Sequence, residues 1–157
     1  MRYLVVLVCL CINPVWANER ITPELIKQFL SSHSTYVMQK ESDKLMTLFA
    51  DNYQQFDKTS PQNTDFIDKN ALKKIYQGNF LVAKLIINTI QLTEQQIADD
   101  GQSAHISTHL FNRYLIEYAD KQNILTHEED WVSDIILENG NVRYLKTEKK
   151  AQPVPTN

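Results

Sequence analysis

His105 and His109, together with the run His127-Glu128-Glu129-Asp130, are the densest groups of potential metal ligands in the chain. An H-x-x-x-H pair shares an ion when both rings project from one face of a helix. The residues around this pair, Ser103 to Tyr118, instead alternate with a period near two, which reads as a strand. Four residues at about 3.3 Å each then set the two rings roughly 13 Å apart, whereas a shared ion sits about 2 Å from each ligand. His127 to Asp130 falls in another extended segment and reads as a polar portion of a strand. No metal and no cofactor are expected.

Thr47-Leu-Phe-Ala-Asp-Asn-Tyr-Gln-Gln-Phe-Asp57 raises a different question: whether Asp57 is a working carboxylate or a turn residue. The following Lys58-Thr59-Ser60-Pro61 is loop chemistry, in which an aspartate binds a nearby backbone N–H. His33 lies on an apolar helical stripe, the setting of a core or pocket-edge histidine with one hydrogen bond, or of a donor. Tyr36, Tyr53, Phe56, Tyr76, Tyr114 and Trp131 are large aromatics suited either to a core or to the lining of an apolar cavity, where tyrosine hydroxyls can orient a ligand.

The first residues carry one positive charge at Arg2, an apolar run from Tyr3 to Ile12, a break at Pro14, and small residues Val15 and Ala17 at cleavage positions. This reads as a secretory signal peptide over residues 1–17, cleaved after Ala17, which places the protein in the periplasm or outside the cell. A retained anchor is the competing reading, and the run falls short of the about 20 apolar residues that span a bilayer. Both cysteines, Cys9 and Cys11, lie inside this segment. The mature chain therefore has no thiol chemistry and no disulfide, and its core alone must hold one domain, residues 18–148. Residues 149–157 read as a disordered polar tail with prolines at 153 and 155. The formal net charge is −3, and Lys149-Lys150 is too short a run to track a phosphate backbone, so no nucleic-acid partner is expected.

Three helices must come first. One starts at Thr22-Pro23-Glu24, with Leu25, Ile26, Phe29, Leu30, His33 and Val37 recurring on its apolar stripe. A second runs from Ser42-Asp43 to Ala50-Asp51, burying Leu45, Leu48 and Phe49. A third runs from Asp68 to Gln77, with Ala71, Leu72, Ile75 and Tyr76 inward and Gly78 as its stop. Extended segments over 81–98, 103–118, 123–138 and 141–148 follow, joined by short turns at Asp99-Asp100-Gly101, Asp120-Lys121-Gln122 and Asn139-Gly140, which force antiparallel neighbours. The result is an α+β domain, helices on one face of a curved antiparallel sheet. In 103–118 the even positions should face the helices. The odd face mixes His105 and His109 with Phe111 and Leu115, a surface suited to a homodimer contact or to a monomer's outer sheet. In 123–138 the odd positions are the more apolar, so periodicity points Asp134 outward.

This order of elements, with Phe49-Ala50-Asp51 before a short strand and a late Asn-Gly turn, resembles the nuclear transport factor 2-like superfamily, a cone-shaped α+β barrel. The resemblance spans residues 22–148 and implies the fold more strongly than any activity, since that fold hosts isomerases, dehydratases, cyclases, secretion modules and binding proteins. Among its ketosteroid isomerases, an F-A-D-D-x-x-x-x-D run ends in the catalytic base, and Asp57 keeps that spacing from Phe49. A D-x-F-x-F-N-G run supplies an oxyanion donor, and Asp134 with Asn139-Gly140 matches its ends but lacks both phenylalanines. That match implies an inward Asp134, against the periodicity. The first-helix tyrosine of those enzymes corresponds to His33, with Tyr36 one turn on. The resemblance thus implies either a non-catalytic domain binding a small apolar molecule or a protein partner, an enzyme using Asp57, Asp134 and His33, or a structural module of the envelope.

Overall fold

The protein is described by a computed structural model over residues 19–59, 66–118 and 121–150. The expected signal peptide, the Ser60-Pro61 part of the loop and residues 151–157 lie outside the described residues. Helix α1 (Pro23–Met38), α2 (Ser42–Met46), strand β1 (Phe49–Asp57), β2 (Phe66–Asp68), α3 (Lys69–Val82), β3 (Ala83–Ile97), β4 (Ser103–Tyr118), β5 (Lys121–Glu138) and β6 (Asn141–Lys149) follow in order. The strands form one sheet ordered β2-β1-β6-β5-β4-β3. Only β1 and β6 run parallel; the other neighbours are antiparallel. The α+β architecture expected from the change of period is the one observed.

Helix α1 starts where the sequence places it. Thr22 accepts a hydrogen bond from the Leu25 N–H at 3.2 Å, with Pro23 in the first turn. Ile26, Phe29, Leu30, His33 and Val37 are buried beneath it. On β4 the even positions Ala104, Ile106 and Leu110 face this core. The last hairpin turns on Asn139 (φ 52°) and Gly140 (φ 74°), the pair of positive φ angles that a two-residue primed turn needs.

Two helix ends differ from expectation. Helix α2 stops at Met46, not at Ala50-Asp51: the Thr47 hydroxyl donates to the Lys44 carbonyl at 2.6 Å, and Leu48 O already accepts from Tyr144 N at 2.8 Å. The chain thus turns into the sheet at Leu48, and Phe49 and Ala50 open β1. Helix α3 runs through Gly78 to Val82, because Phe80, one turn past Tyr76, packs into the core. Its start is capped by the Asp68 carboxylate, which accepts from Ala71 N at 2.7 Å. Ile75, expected inward, is 45% exposed. Lys149, expected to open the tail, is instead the last residue of β6 and pairs with Trp131.

A Cβ built on Gly78 would meet nothing within 4 Å. Gly78→Ala should therefore raise stability by about 0.4–1 kcal/mol, by narrowing the unfolded ensemble at a helical position with room for a methyl group. Urea denaturation of the two proteins, with unchanged m-value, checks this.

The sheet's curvature comes from local irregularities. β6 carries one extra residue, Leu145, between the pairs Asp134↔Lys146 and Ile135↔Tyr144. That bulge switches the inward phase of β6 from Val142 and Tyr144 to Thr147. Because the extra residue lies on β6, β5 keeps its register against β4 without a break.

Candidate functional site

Helix α3 closes over the concave face of the sheet and leaves a cavity of about 230 Å³. Gln55 of β1, Leu72, Ile75, Tyr76 and Asn79 of α3, Leu110, Asn112 and Tyr114 of β4, and His127, Glu129 and Trp131 of β5 line it. The helix supplies its share at the three- and four-residue spacing of one face, and β4 and β5 supply theirs at every second residue. The Asn112 amide is ordered by a 2.7 Å bond from Asn88.

At the polar end sits Glu129, 8% exposed. Its Oε1 accepts from His127 Nε2 at 2.5 Å and from Lys149 Nζ, and its Oε2 accepts from Trp131 Nε1 at 2.8 Å. Burial works against the charge, but hydrogen bonds from Lys149 and His127 outweigh it and hold the carboxyl below its usual range. Glu129 is therefore an ionised, acceptor-only group, and His127 carries its proton on Nε2. Burial, with Glu129 adding to it, raises the Tyr114 hydroxyl, which stays protonated beside that carboxylate. An ordered carboxylate between aromatic walls can accept a hydrogen bond from a small ligand at the remaining lone pair of Oε2.

The three residues assigned catalytic roles by resemblance do not converge here. Asp57 lies at the end of β1, outside the cavity lining, where its Oδ1 accepts from Thr59 Oγ1 at 2.5 Å and Thr59 N at 2.9 Å. The Thr59 hydroxyl and then its N–H lower the Asp57 pKa, which makes it a weaker base. This is the turn arrangement weighed for it. Asp134 faces out, as periodicity has it and against the motif match, with His105 Nδ1 at 2.8 Å. The inward residue beside it is Ser133, bonded to Thr147 at 3.0 Å. His33 is buried in the core, with Nδ1 3.2 Å from the Tyr144 hydroxyl and Nε2 3.4 Å from that of Tyr76, and burial lowers its pKa to about 4.

Of the six aromatics, Tyr76, Tyr114 and Trp131 line the cavity. Tyr53 is buried behind it, with its hydroxyl on Gln55 at 3.3 Å. Tyr36 belongs to a separate groove between α1 and the start of β6, beside Arg143. Phe56 packs on Phe66 with ring centroids 5.9 Å apart, and the Lys58 and Lys146 ammonium groups lie over its ring. Glu129 and His127, which read from the sequence as a polar strand portion, are cavity residues; the signal for them is a carboxylate in phase with Trp131 and Ile135. Among the described residues no group of three or more His, Cys, Asp or Glu side chains is arranged to hold a metal.

A helix-covered, strongly curved sheet with a cavity at its concave face defines the cone of the nuclear transport factor 2-like fold. Solved structures with this shape include a scytalone dehydratase-like protein from Novosphingobium aromaticivorans (TM-score 0.68, 11% identity, 83% of each chain covered). A nuclear transport factor 2-like protein of unknown function from Shewanella oneidensis matches at TM-score 0.61 and 10% identity, covering 80% of this chain and 96% of that one. A ketosteroid isomerase-like protein from Erwinia carotovora matches at TM-score 0.59 and 10% identity, covering 82% and 96%. No protein-family model and no curated protein matches the chain. At these identities the likeness is one of fold, and the fold's relatives include enzymes as well as proteins of unknown function.

Proposed function

We propose that this chain is an exported binding protein, cleaved after Ala17, whose cone holds a small molecule with a hydrogen-bond donor directed at Glu129. The observation that carries this reading is the buried Glu129 carboxylate, fully ordered by His127, Lys149 and Trp131 at the end of an aromatic-walled cavity. Asp57 and Asp134 lie outside that cavity, so the isomerase arrangement gains no support from them. Pairing of two copies through the outer sheet face, where Phe111 and Leu115 interrupt a polar row, belongs to the same proposal.

Native mass spectrometry of the mature chain, purified from an exporting host, tests both parts. A small-molecule adduct on a dimer is expected. Glu129→Gln should weaken the captured ligand about tenfold to a hundredfold, the usual worth of a hydrogen bond to a charged acceptor. An adduct retained equally by the variant would remove Glu129 from the site, and a strictly monomeric mass would remove the dimer.

A further inference from the structure

The cavity opens onto apolar surface that the fold does not need. On α3 its lining residues Ile75 and Asn79 follow a helical spacing whose next step is Val82. Ile75 is 45% and Val82 57% exposed. Opposite them, β5 carries Leu125 two residues before His127 and so on the same strand face, and Leu125 is 56% exposed. It pairs with the cavity-lining Tyr114, while Ile116 pairs with Ala83, the residue after Val82. Singly scattered apolar residues on a surface need no explanation. Val82 on α3, Ile116 on β4 and Leu125 on β5 continue the three stripes that wall the cavity, one on each element, past Ile75 and outward from Glu129.

At about 230 Å³ the cavity is smaller than the roughly 300–1,000 Å³ of pockets that enclose a drug-sized ligand. A ligand seated at Glu129 and longer than a single ring must leave along this strip. Resting on the binding function proposed above, we infer that the ligand is a single-chain amphiphile. Its donor head group bonds Glu129 and its hydrocarbon chain lies along Ile75, Val82, Ile116 and Leu125. An ammonium and a hydroxyl head share the donor chemistry, whereas a carboxylate head meets the Glu129 charge. The strip is open, so the chain stays partly wet and its length adds affinity in small, regular steps.

Trp131 is the only tryptophan after Ala17 and lies in the cavity wall, so its fluorescence reports occupancy. The mature protein is titrated with butylamine, hexylamine and octylamine below their aggregation limits, then with octanol and octanoate. Affinity should rise about twofold to fourfold per added methylene, octanoate should be the weakest, and octanol against octylamine tells which donor head is preferred. In the double variant Val82→Ser/Leu125→Ser, both positions being exposed, octylamine should fall toward butylamine while butylamine itself is unchanged. Equal affinities across the amines, or octanoate binding as tightly as octylamine, would overturn the amphiphile and leave the cavity reading standing. No Trp131 response to any of these probes, with no adduct on the purified chain, would remove both.

Discussion

Phe49→Ala should destabilise the protein by about 3–5 kcal/mol, a large part of the total stability of a domain this size. The Phe49 ring is 1% exposed and meets three aromatic partners, with centroids 4.7 Å from Tyr53, 5.1 Å from Tyr144 and 6.0 Å from His33. Truncation loses the transfer free energy of the ring and leaves a void among side chains held by their own hydrogen bonds, so the site cannot collapse around it. Phe49→Leu fills most of the space and should recover more than half of the loss. Urea unfolding measures both. A Phe49→Ala loss below about 1 kcal/mol would mean that this aromatic cluster is not where β1 is fastened to the core.

That residue also marks where the sequence was hard to read. Leu45, Leu48 and Phe49 keep helical spacing, so periodicity alone carries α2 past its end. The helix stops because Phe49 pairs into the sheet beside Tyr144, a partner about a hundred residues away, and no local pattern contains that pairing. Gly78 misleads in the other direction. A glycine reads as a stop, yet the burial of Phe80 continues α3 through it. Where the pattern was long and regular, as in α1, β4 and the Asn139-Gly140 turn, sequence and structure agree, because there local preference and burial favour the same answer.

The site follows the same logic. Periodicity put Asp134 outside and a motif match put it inside. The strand's own alternation prevailed, since a one-residue slip in β5 would turn Ile135 out of the core, where it is fully buried. A bulge could have reconciled the two readings, and one exists, but on β6 at Leu145, where it leaves the phase of β5 untouched. Alternation along β5 marks Glu129 as inward, whereas its neighbours Glu128 and Asp130 make it read as part of a polar run. What the sequence could not supply is Lys149, which reaches it from β6 and, with His127, offsets the cost of burying its charge.

Stability should fall by about 3 kcal/mol between pH 7.5 and pH 4 on account of His33 alone. Burial lowers its pKa from 6.5 to about 4. The neutral ring is satisfied between the Tyr144 and Tyr76 hydroxyls, each of which can donate or accept, whereas a charged ring would be cut off from water. The sign follows from the depressed value: the unfolded chain takes up a proton as pH drops through 6.5, the folded chain only near 4, so His33's contribution is intact above 6.5 and is lost across that interval. Both neighbouring tyrosines have raised pKa values and stay protonated throughout, so neither opposes the trend. Acidification also changes the charge of the unfolded chain and of the rest of the surface, so the quantity to measure is a difference between two proteins. His33→Gln keeps a donor and an acceptor at the site without a titratable ring, and should be the less stable protein at pH 7.5 yet lose about 3 kcal/mol less on acidification. Parallel stability–pH curves for the two would mean that the ring reaches solvent when it is charged, and that His33 belongs to the cone's wall and not to its core.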